Sequence, residues 1–447
     1  MKLIRFSASK VYGYLNFNIN FNDDLSFIVG VNGCGKTTII RLIQALLTAS
    51  VRDLNSIEFK KAELHFSDGL VSNSIVAKAT DDAIEIRIST VEQPLTIPRV
   101  DIDELESRGG EVSRASSYFE EQSIEISNTP VGKALSALDA PIILGLERRA
   151  PSIPWIDPAL RSERMSLHSE MRRGRRKIFQ GTLGVSLMET QALVQDAYRR
   201  VRFIQDRQNA GLREEILISA FTYTPIKSLL DIRDLSSLER QESILARRGE
   251  IEKTLSGLDS GDKLKRVIGD FFDRFSGLFT RMSQGDSHDI DLELIVNKAQ
   301  IDRIMNLIKL VDEHKSRIEK AMALTNRFLH VINDFYSDTD KILGIDPVGR
   351  LQITRKDGVL TTVEALSSGE RQLLIIFANL MFVGHGSTKG VFIIDEPEMS
   401  LHLKWQEAFV NSVIQASPDT QLIVATHSPE IVGEHKLKSI SLSGGAK

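Results

Sequence analysis

The residues best equipped for chemistry lie towards the two ends of the chain. Gly30 to Thr37 reads GVNGCGKT, setting glycines, a lysine and a hydroxyl at the spacing G-x-x-x-x-G-K-[ST]. A loop of that kind closes backbone N–H groups around phosphate oxygens, and an adjoining helix N-terminus adds favourable partial charge. Lys36 is then placed to reach the β- and γ-phosphates of a nucleotide, and Thr37 to ligate Mg²⁺. Gly30, Asn32, Gly33, Gly35 and Thr38 complete the candidate phosphate contacts in and beside the loop. Cys34, the single cysteine of the chain, reads as a small residue within it.

Far downstream, GVFIIDEPEMSLH ends an apolar run in Asp395 and Glu396. A carboxylate at the C-terminal end of a buried strand sits in the crevice where open α/β sheets bind ligands. Asp395 suits the Mg²⁺ shell, and Glu396 suits orienting or deprotonating an attacking water. Glu398, two residues on, is read either as a loop-structural residue or as one that supports the site residues from behind. LIVATHSPE repeats the arrangement and delivers His427 to the same edge, as a candidate sensor of the γ-phosphate. Together these segments point to hydrolysis of ATP or GTP.

A fourth segment, LSSGERQ (Leu366 to Gln372), opens a helix with a serine and a glycine, which makes a second phosphate-binding N-terminus. One nucleotide has little use for two such cradles from one subunit. Two subunits arranged head to tail could each lend Ser367, Gly369 and Glu370 to the other's nucleotide.

These groups need a scaffold. Residues 1 to 30 alternate apolar and polar as short strands do, ending in the buried strand LSFIV, and a helix is expected from about Lys36 to Ala49. AELHFSDG, SNSIVAKA and AIEIRIST read as antiparallel strands, and PIILGLE as a compact apolar one. Residues 95 to 130, rich in Pro, Ser, Asp and Glu, read as an irregular acidic excursion. From 151 to about 345 strand alternation is lacking and most of the segment reads as helix. Within it Ile301, Ile304, Ile308, Val311, Ile318, Met322, Leu329 and Ile332 form a seam interrupted by Lys315 and Thr325, consistent with a helical hairpin or short coiled coil, or with a helical subdomain packed on a core. Beyond it come a hairpin around Lys356, Asp357 and Gly358, a helix from Gly369, the strand GVFIID, a helix over Leu401–Gln415, the strand QLIVAT and a last strand near KSISLS. That order is α/β wiring with a parallel sheet. The expected organisation is one α/β head built from residues 1–150 and 346–447, with a helical domain over 151–345 inserted into it.

Composition excludes several alternatives. A net charge of −4 over 447 residues argues against wholesale coating by nucleic acid, and one cysteine excludes a disulfide framework or a cysteine zinc site. The apolar run Leu373 to Val383 is broken by Asn379 and is too short to span a bilayer. The N-terminus shows no signal-peptide core. A cytoplasmic protein with no membrane partner is expected. Arg161 to Lys177 carries seven Arg or Lys against two Glu, and reads equally as a phosphate-pairing run, a solvated helix face or an interface to an acidic partner.

In this order, Gly30–Thr37, Leu366–Gln372, Ile394–Glu396, Ser400–His402 and His427 resemble the Walker A, signature, Walker B, D-loop and switch-histidine motifs of ABC-type ATPases. The helical insertion is similar to that of RecF, Rad50 and SMC proteins, not of transporter cassettes. DEPEMSLHLKWQ resembles the OLD-like ATPases and ATPase subunits of anti-phage systems such as PARIS and Septu. The resemblance implies an ABC-type ATPase head with a mixed sheet and a helical, short coiled-coil insertion, using ATP and Mg²⁺. It further implies a homo-oligomer, a separately encoded nuclease subunit, and DNA or a phage protein as trigger. A DNA-repair ATPase that clamps DNA is the competing implication. The signature departs from the family form, with Ser368 where a second glycine is usual.

Overall fold

The computed structural model describes residues 1–69, 71–101, 113–139, 141–145, 182–221, 247–249, 269–270, 272–274, 276–277, 290–383 and 390–442. The basic run 161–177 lies outside the described residues.

Period-two alternation in the first hundred residues produces β1 (Lys2–Val11), β2 (Leu15–Asn20), β4 (Lys61–Asp68), β5 (Val71–Ala79), β6 (Ala83–Ile88) and β7 (Leu95–Pro98). They pair antiparallel in the order β2-β1-β4-β5-β6-β7. One face is apolar and buried: Phe6, Ile19, Leu64, Phe66, Ile75, Ile84 and Ile86 are all inaccessible to solvent.

Short runs without alternation behave differently. β3 (Leu25–Val29), β8 (Ile142–Leu144), β12 (Val391–Asp395), β13 (Gln421–Thr426) and β14 (Ser439–Ser441) form an all-parallel sheet in the order β14-β3-β13-β12-β8. β12 and β13 are buried at every position, as strands covered on both faces must be. A small antiparallel sheet of β9 (Lys341–Ile345), β10 (Leu351–Arg355) and β11 (Leu360–Thr361) includes the expected hairpin, turned at Gly358.

Helix α1 (Lys36–Thr48) joins the two larger sheets into one core. Ile39, Ile40, Leu42, Ile43, Leu46 and Leu47 are buried in a cluster that also holds Phe6, Phe66, Ile393 and Ile423. The chain's distant ends are tied by Gln421, whose Oε1 accepts from Leu3 N at 2.7 Å and whose Nε2 donates to Leu3 O at 2.8 Å. Among the described residues the remaining α-helices are α2 (Val51–Ser56), α3 (Ser113–Asn128), α4 (Pro130–Ser136), α5 (Thr182–Phe221), α6 (Ile290–Tyr336), α7 (Ser368–Ala378), α8 (Leu403–Ala416) and α9 (Pro429–Val432).

Residues 113 to 128 correct the expectation of an irregular excursion: they are helix α3. Its serines and glutamates mask the pattern, since among its described side chains Ile126 alone is buried. Most of its described side chains are exposed or half-buried, so composition alone mimics a loop.

The chain divides into two units, one of Met1–Ala197 with Arg327–Lys447 and one of Tyr198–Asn326. The first holds the three sheets. In the second, α5 and α6 are joined by His314 to Asn209 at 2.9 Å and by Arg317 Nη1, which donates to Gln208 Oε1 at 3.3 Å. Arg247 pairs with Asp312, holding that carboxyl below its ordinary range. Burial, and then Arg317, lower the His314 imidazole. Of the seam residues whose side chains are described, Ile308, Val311, Thr325 and Ile332 are buried, Ile318, Met322 and Leu329 are half-buried, and Lys315 is exposed, its neighbour His314 being buried in its place.

Candidate nucleotide site

The site is built where the parallel strands end. β3 runs into the loop Gly30–Gly35, and α1 starts at Lys36. Gly35 caps that helix at φ 94°, a left-handed conformation, and a Cβ there would lie 2.6 Å from the Phe17 ring. Both constraints demand glycine. The buried Cys34 sulfur fills the space beside Gly30, where a Cβ would approach it to 2.4 Å. The sulfur is therefore a packing atom of the loop. Lys36 is 4% exposed and its Nζ donates to Gly30 O at 2.8 Å. Asn32 and Gly33 are exposed at the loop's tip, and Thr38 is half-buried.

β12 neighbours β13, which neighbours β3, so the parallel register carries three strand ends to one edge. Thr37 Oγ1 donates to Asp395 Oδ2 at 2.7 Å, joining residues 358 apart in sequence. A hydroxyl and a carboxylate together are hard oxygen donors of the type Mg²⁺ takes, so the residues present fit that ion. They would supply two ligands and leave the rest of the shell to phosphate and water.

Glu396 follows at φ 46°, and Ser400, further along the same loop, at φ 63°. Non-glycine residues held there cost roughly 1–3 kcal/mol each and gather at functional sites. Hydrogen bonds hold the loop in this form. Glu396 N donates to Ala425 O at 2.8 Å, and Leu401 N to Glu398 O at 3.0 Å. Gln372 on α7 donates to Pro397 O at 2.8 Å, and Gln406 on α8 to Leu401 O at 2.9 Å.

Of its two readings, Glu398 takes the one that supports the site residues. It is 7% exposed and faces β13. Its Oε1 accepts from Thr426 Oγ1 at 2.7 Å and from His427 N at 2.8 Å, and lies 3.0 Å from His427 Nδ1. Glu396 Oε1 is 3.9 Å from the same nitrogen. The sequence signal for this role was present, an acidic side chain between a proline and a methionine in a loop that must be buried, but spacing alone gave it no partner.

The Leu366–Gln372 segment begins α7. Ser367 is its N-cap and Glu370 completes a capping box: Glu370 N donates to Ser367 Oγ, and Ser367 N to Glu370 Oε2 at 2.6 Å. Here the structure corrects one expectation. Glu370 has no exposed surface and its oxygens are engaged by Lys341 Nζ at 2.8 and 3.0 Å and by Thr339 Oγ1 at 2.7 Å. Its carboxylate serves the start of the helix and is closed to a ligand. Tyr336 OH donates to Glu370 O at 2.8 Å, and burial, then the Glu370 charge, push that phenol well above its ordinary range. Gly369 has its own packing reason, because a Cβ there would stand 2.4 Å from Ser400 O. Ser367 and Ser368 remain exposed at the helix start.

Burial pushes the Glu370 carboxyl up, but Lys341, the Ser367 N–H and Thr339 outweigh it and hold the group below its ordinary value. A depressed carboxyl contributes stability that is present above the unfolded value and lost as pH falls through the folded one. Glu370→Gln should therefore lower stability near neutral pH by about 1.5–3 kcal/mol. Urea titrations in steps below about pH 4.3 should show the gap to the native sequence narrowing.

A parallel sheet with a phosphate loop after β3 and acidic and imidazole groups at the ends of β12 and β13 is an α/β nucleotide-binding head of the phosphate-loop kind. Residues 201–433, just over half of the chain, match the family described as "AAA domain, putative AbiEii toxin, Type IV TA system". Residues 12–132 match an "AAA ATPase domain". The chain belongs to this family of AAA ATPase domains. Over 111 residues it is 30% identical to "Retron Vc95 probable ATPase" of Vibrio cholerae serotype O1 biovar El Tor, covering 23% of this chain and 21% of that one. Over 146 residues it is 26% identical to "Retron Ec83 probable ATPase" of Escherichia coli, covering 28% and 26%. The chain thus spans only about a quarter or less of the curated relatives it matches. Among solved structures, the Smc head domain with an extended coiled coil from Pyrococcus furiosus aligns at TM-score 0.42 and 14% identity, covering 100% of this chain and 94% of that one. The SMC head domain from Thermotoga maritima aligns at 0.36 and 11%, covering 97% and 91%. Among the described residues no helix is long and apolar enough to cross a membrane.

Proposed function

We propose that this chain binds and hydrolyses ATP with Mg²⁺ at composite sites shared between two copies. We further propose that it acts as the sensor and scaffold that controls a separately encoded nuclease in anti-phage defence. The observation that carries the hydrolytic reading is the Thr37–Asp395 contact, which brings the phosphate loop and the acidic strand end into one donor set. Lys36 neutralises phosphate charge, Thr37 and Asp395 hold the ion, Glu396 orients or deprotonates water, and His427 meets the γ-phosphate. Ser367 and Ser368, exposed at the start of α7, support an anion-binding surface offered to a second copy. The defence role is supported by the toxin–antitoxin description of the family and by the partial likeness to retron ATPases.

The Lys36 ammonium, now resting on Gly30 O, is the cation of the loop itself. Lys36→Ala should weaken ATP binding by about one to two orders of magnitude, the scale of a lost charge-assisted contact. Calorimetry showing unchanged affinity removes the phosphate-loop assignment. The defence reading is tested by phage challenge of cells carrying the gene with its natural neighbours. Plaque counts should fall with the native gene and recover with Glu396→Gln. Equal plaque counts, with no nuclease encoded alongside, remove the defence role and leave the ATPase reading standing.

A further inference from the structure

Pro397 follows Glu396 directly, and a proline pushes the residue before it towards extended backbone. Glu396 nevertheless stands at φ 46°, and Ser400 bends the same loop again at φ 63°. A loop held against its own preference keeps its form only while its surroundings fasten it. One fastening comes from α7. Gln372, in the second turn of that helix and 3% exposed, donates from Nε2 to Pro397 O at 2.8 Å, a buried bond across 25 residues of chain. A carbonyl oxygen only accepts, so the amide nitrogen is the end of Gln372 that faces it. Gly369, three residues earlier on the same side of α7, brings the helix against the far end of the loop, where a Cβ would stand 2.4 Å from Ser400 O. α7 thus meets the loop at the residue after Glu396 and again at its second left-handed bend. On the other side, Glu396 N is fastened to Ala425 O at 2.8 Å. That bond fixes the chain entering Glu396, and Gln372 fixes the chain leaving it.

We infer that Gln372 is a positioning residue for Glu396: its amide holds the Pro397 carbonyl, and with it the left-handed turn that sets the direction of the Glu396 carboxylate. The N–H is the part that matters. Methionine has nearly the length of glutamine and no donor, so it would take this bond from a buried carbonyl without opening a cavity. The turn would then relax towards the extended backbone that Pro397 favours, and the carboxylate would move with it. A reacting group displaced by about 1 Å can lose on the order of a hundredfold in rate. The segment that offers Ser367 outward therefore has a second duty inside its own chain. The inference rests on the proposed role of Glu396 for its effect on hydrolysis, but not for its effect on the loop.

The experiment has two arms. In the first, hydrogen exchange is followed without nucleotide. The amide hydrogens of Glu396, Met399 and Leu401 are bonded to Ala425 O, Glu396 O and Glu398 O. In Gln372→Met they should exchange about tenfold faster or more, while those of α1 keep their native rates. Unchanged exchange in the loop overturns the inference, whatever the ATPase reading. In the second arm, Gln372→Met should lower kcat about tenfold or more with KM for ATP little changed, since Lys36 and Thr37 are untouched. In a Glu396→Gln background the same substitution should have no further effect on kcat, because its action passes through the carboxylate. A native kcat at a temperature where the variant is folded, or an equal loss in both backgrounds, would show a purely structural role and overturn the inference. Should Gln372→Met not fold, Gln372→Asn, whose amide is one methylene short of Pro397 O, takes its place in both arms with the same expected directions. Faster loop exchange in a chain whose Glu396→Gln variant keeps the native rate upholds the positioning and removes the reading of Glu396 instead.

Discussion

Replacing Glu396 by Gln is expected to leave ATP bound and to slow its hydrolysis by at least about a hundredfold, the scale of a lost general base. The substitution preserves the size of the side chain and asks nothing new of the backbone, which already stands at φ 46° and is fastened through Glu396 N to Ala425 O. Lys36, Thr37 and Asp395, the groups that hold phosphate and ion in the proposed site, are untouched. Only the carboxylate that would take the proton of the attacking water is gone. Phosphate release under single-turnover conditions and the nucleotide content of the quenched protein give the two readings. Intact ATP should accumulate on the variant, because binding and chemistry have been separated. Turnover near the native rate would move the base role to His427 or Glu398, the other titratable groups within reach of the same edge.

Most of what positions this site was legible because it is local. A glycine-rich turn and a helix start announce themselves in eight consecutive residues after a buried strand, Asp395 ends an uninterrupted apolar run with Glu396 behind it, and His427 follows another by one threonine. The parallel sheet follows, since strands covered on both faces lose their alternation while those of the antiparallel sheet keep it. What escaped is non-local. Glu370 shares a motif with Ser367 and Gly369, yet its partners Thr339 and Lys341 lie some thirty residues upstream, and only the folded chain shows that its carboxylate is consumed. Glu398 was visible as an acid in a loop, while its clamp on Thr426 and His427 depends on β12 and β13 lying side by side. The helix at 113–128 was missed for the opposite reason: its signal is local but diluted, with Ile126 buried among serines and glutamates.

The proposed sharing of sites makes its own demand on α7. Gly369 is the wrong place to test it, because any side chain there strikes Ser400 within the same chain. Ser367 is better. It is exposed, and its oxygen caps the helix by accepting from Glu370 N. Asp ranks with Ser as an N-cap, so Ser367→Asp should keep the helix start and add one negative charge at its exposed face. Against the phosphates of a neighbouring copy that charge is repulsive, and hydrolysis should fall to a few per cent or less, on the order of a hundredfold loss. Binding through the variant's own Lys36 loop should persist. Lys36→Ala fails for the complementary reason, with an intact α7 and a defective loop. Mixed under conditions that allow subunits to exchange, the two inactive variants should recover part of the native rate. One site in each mixed pair then joins an intact phosphate loop to an intact Ser367. The titration is run at fixed total protein, with mixed assembly verified by affinity tags on one variant. Recovery peaking near equal proportions is the expected result. A rate that stays at the mutant baseline despite proven mixing would place Ser367 at its own chain's nucleotide, and the head-to-tail arrangement would fall with it.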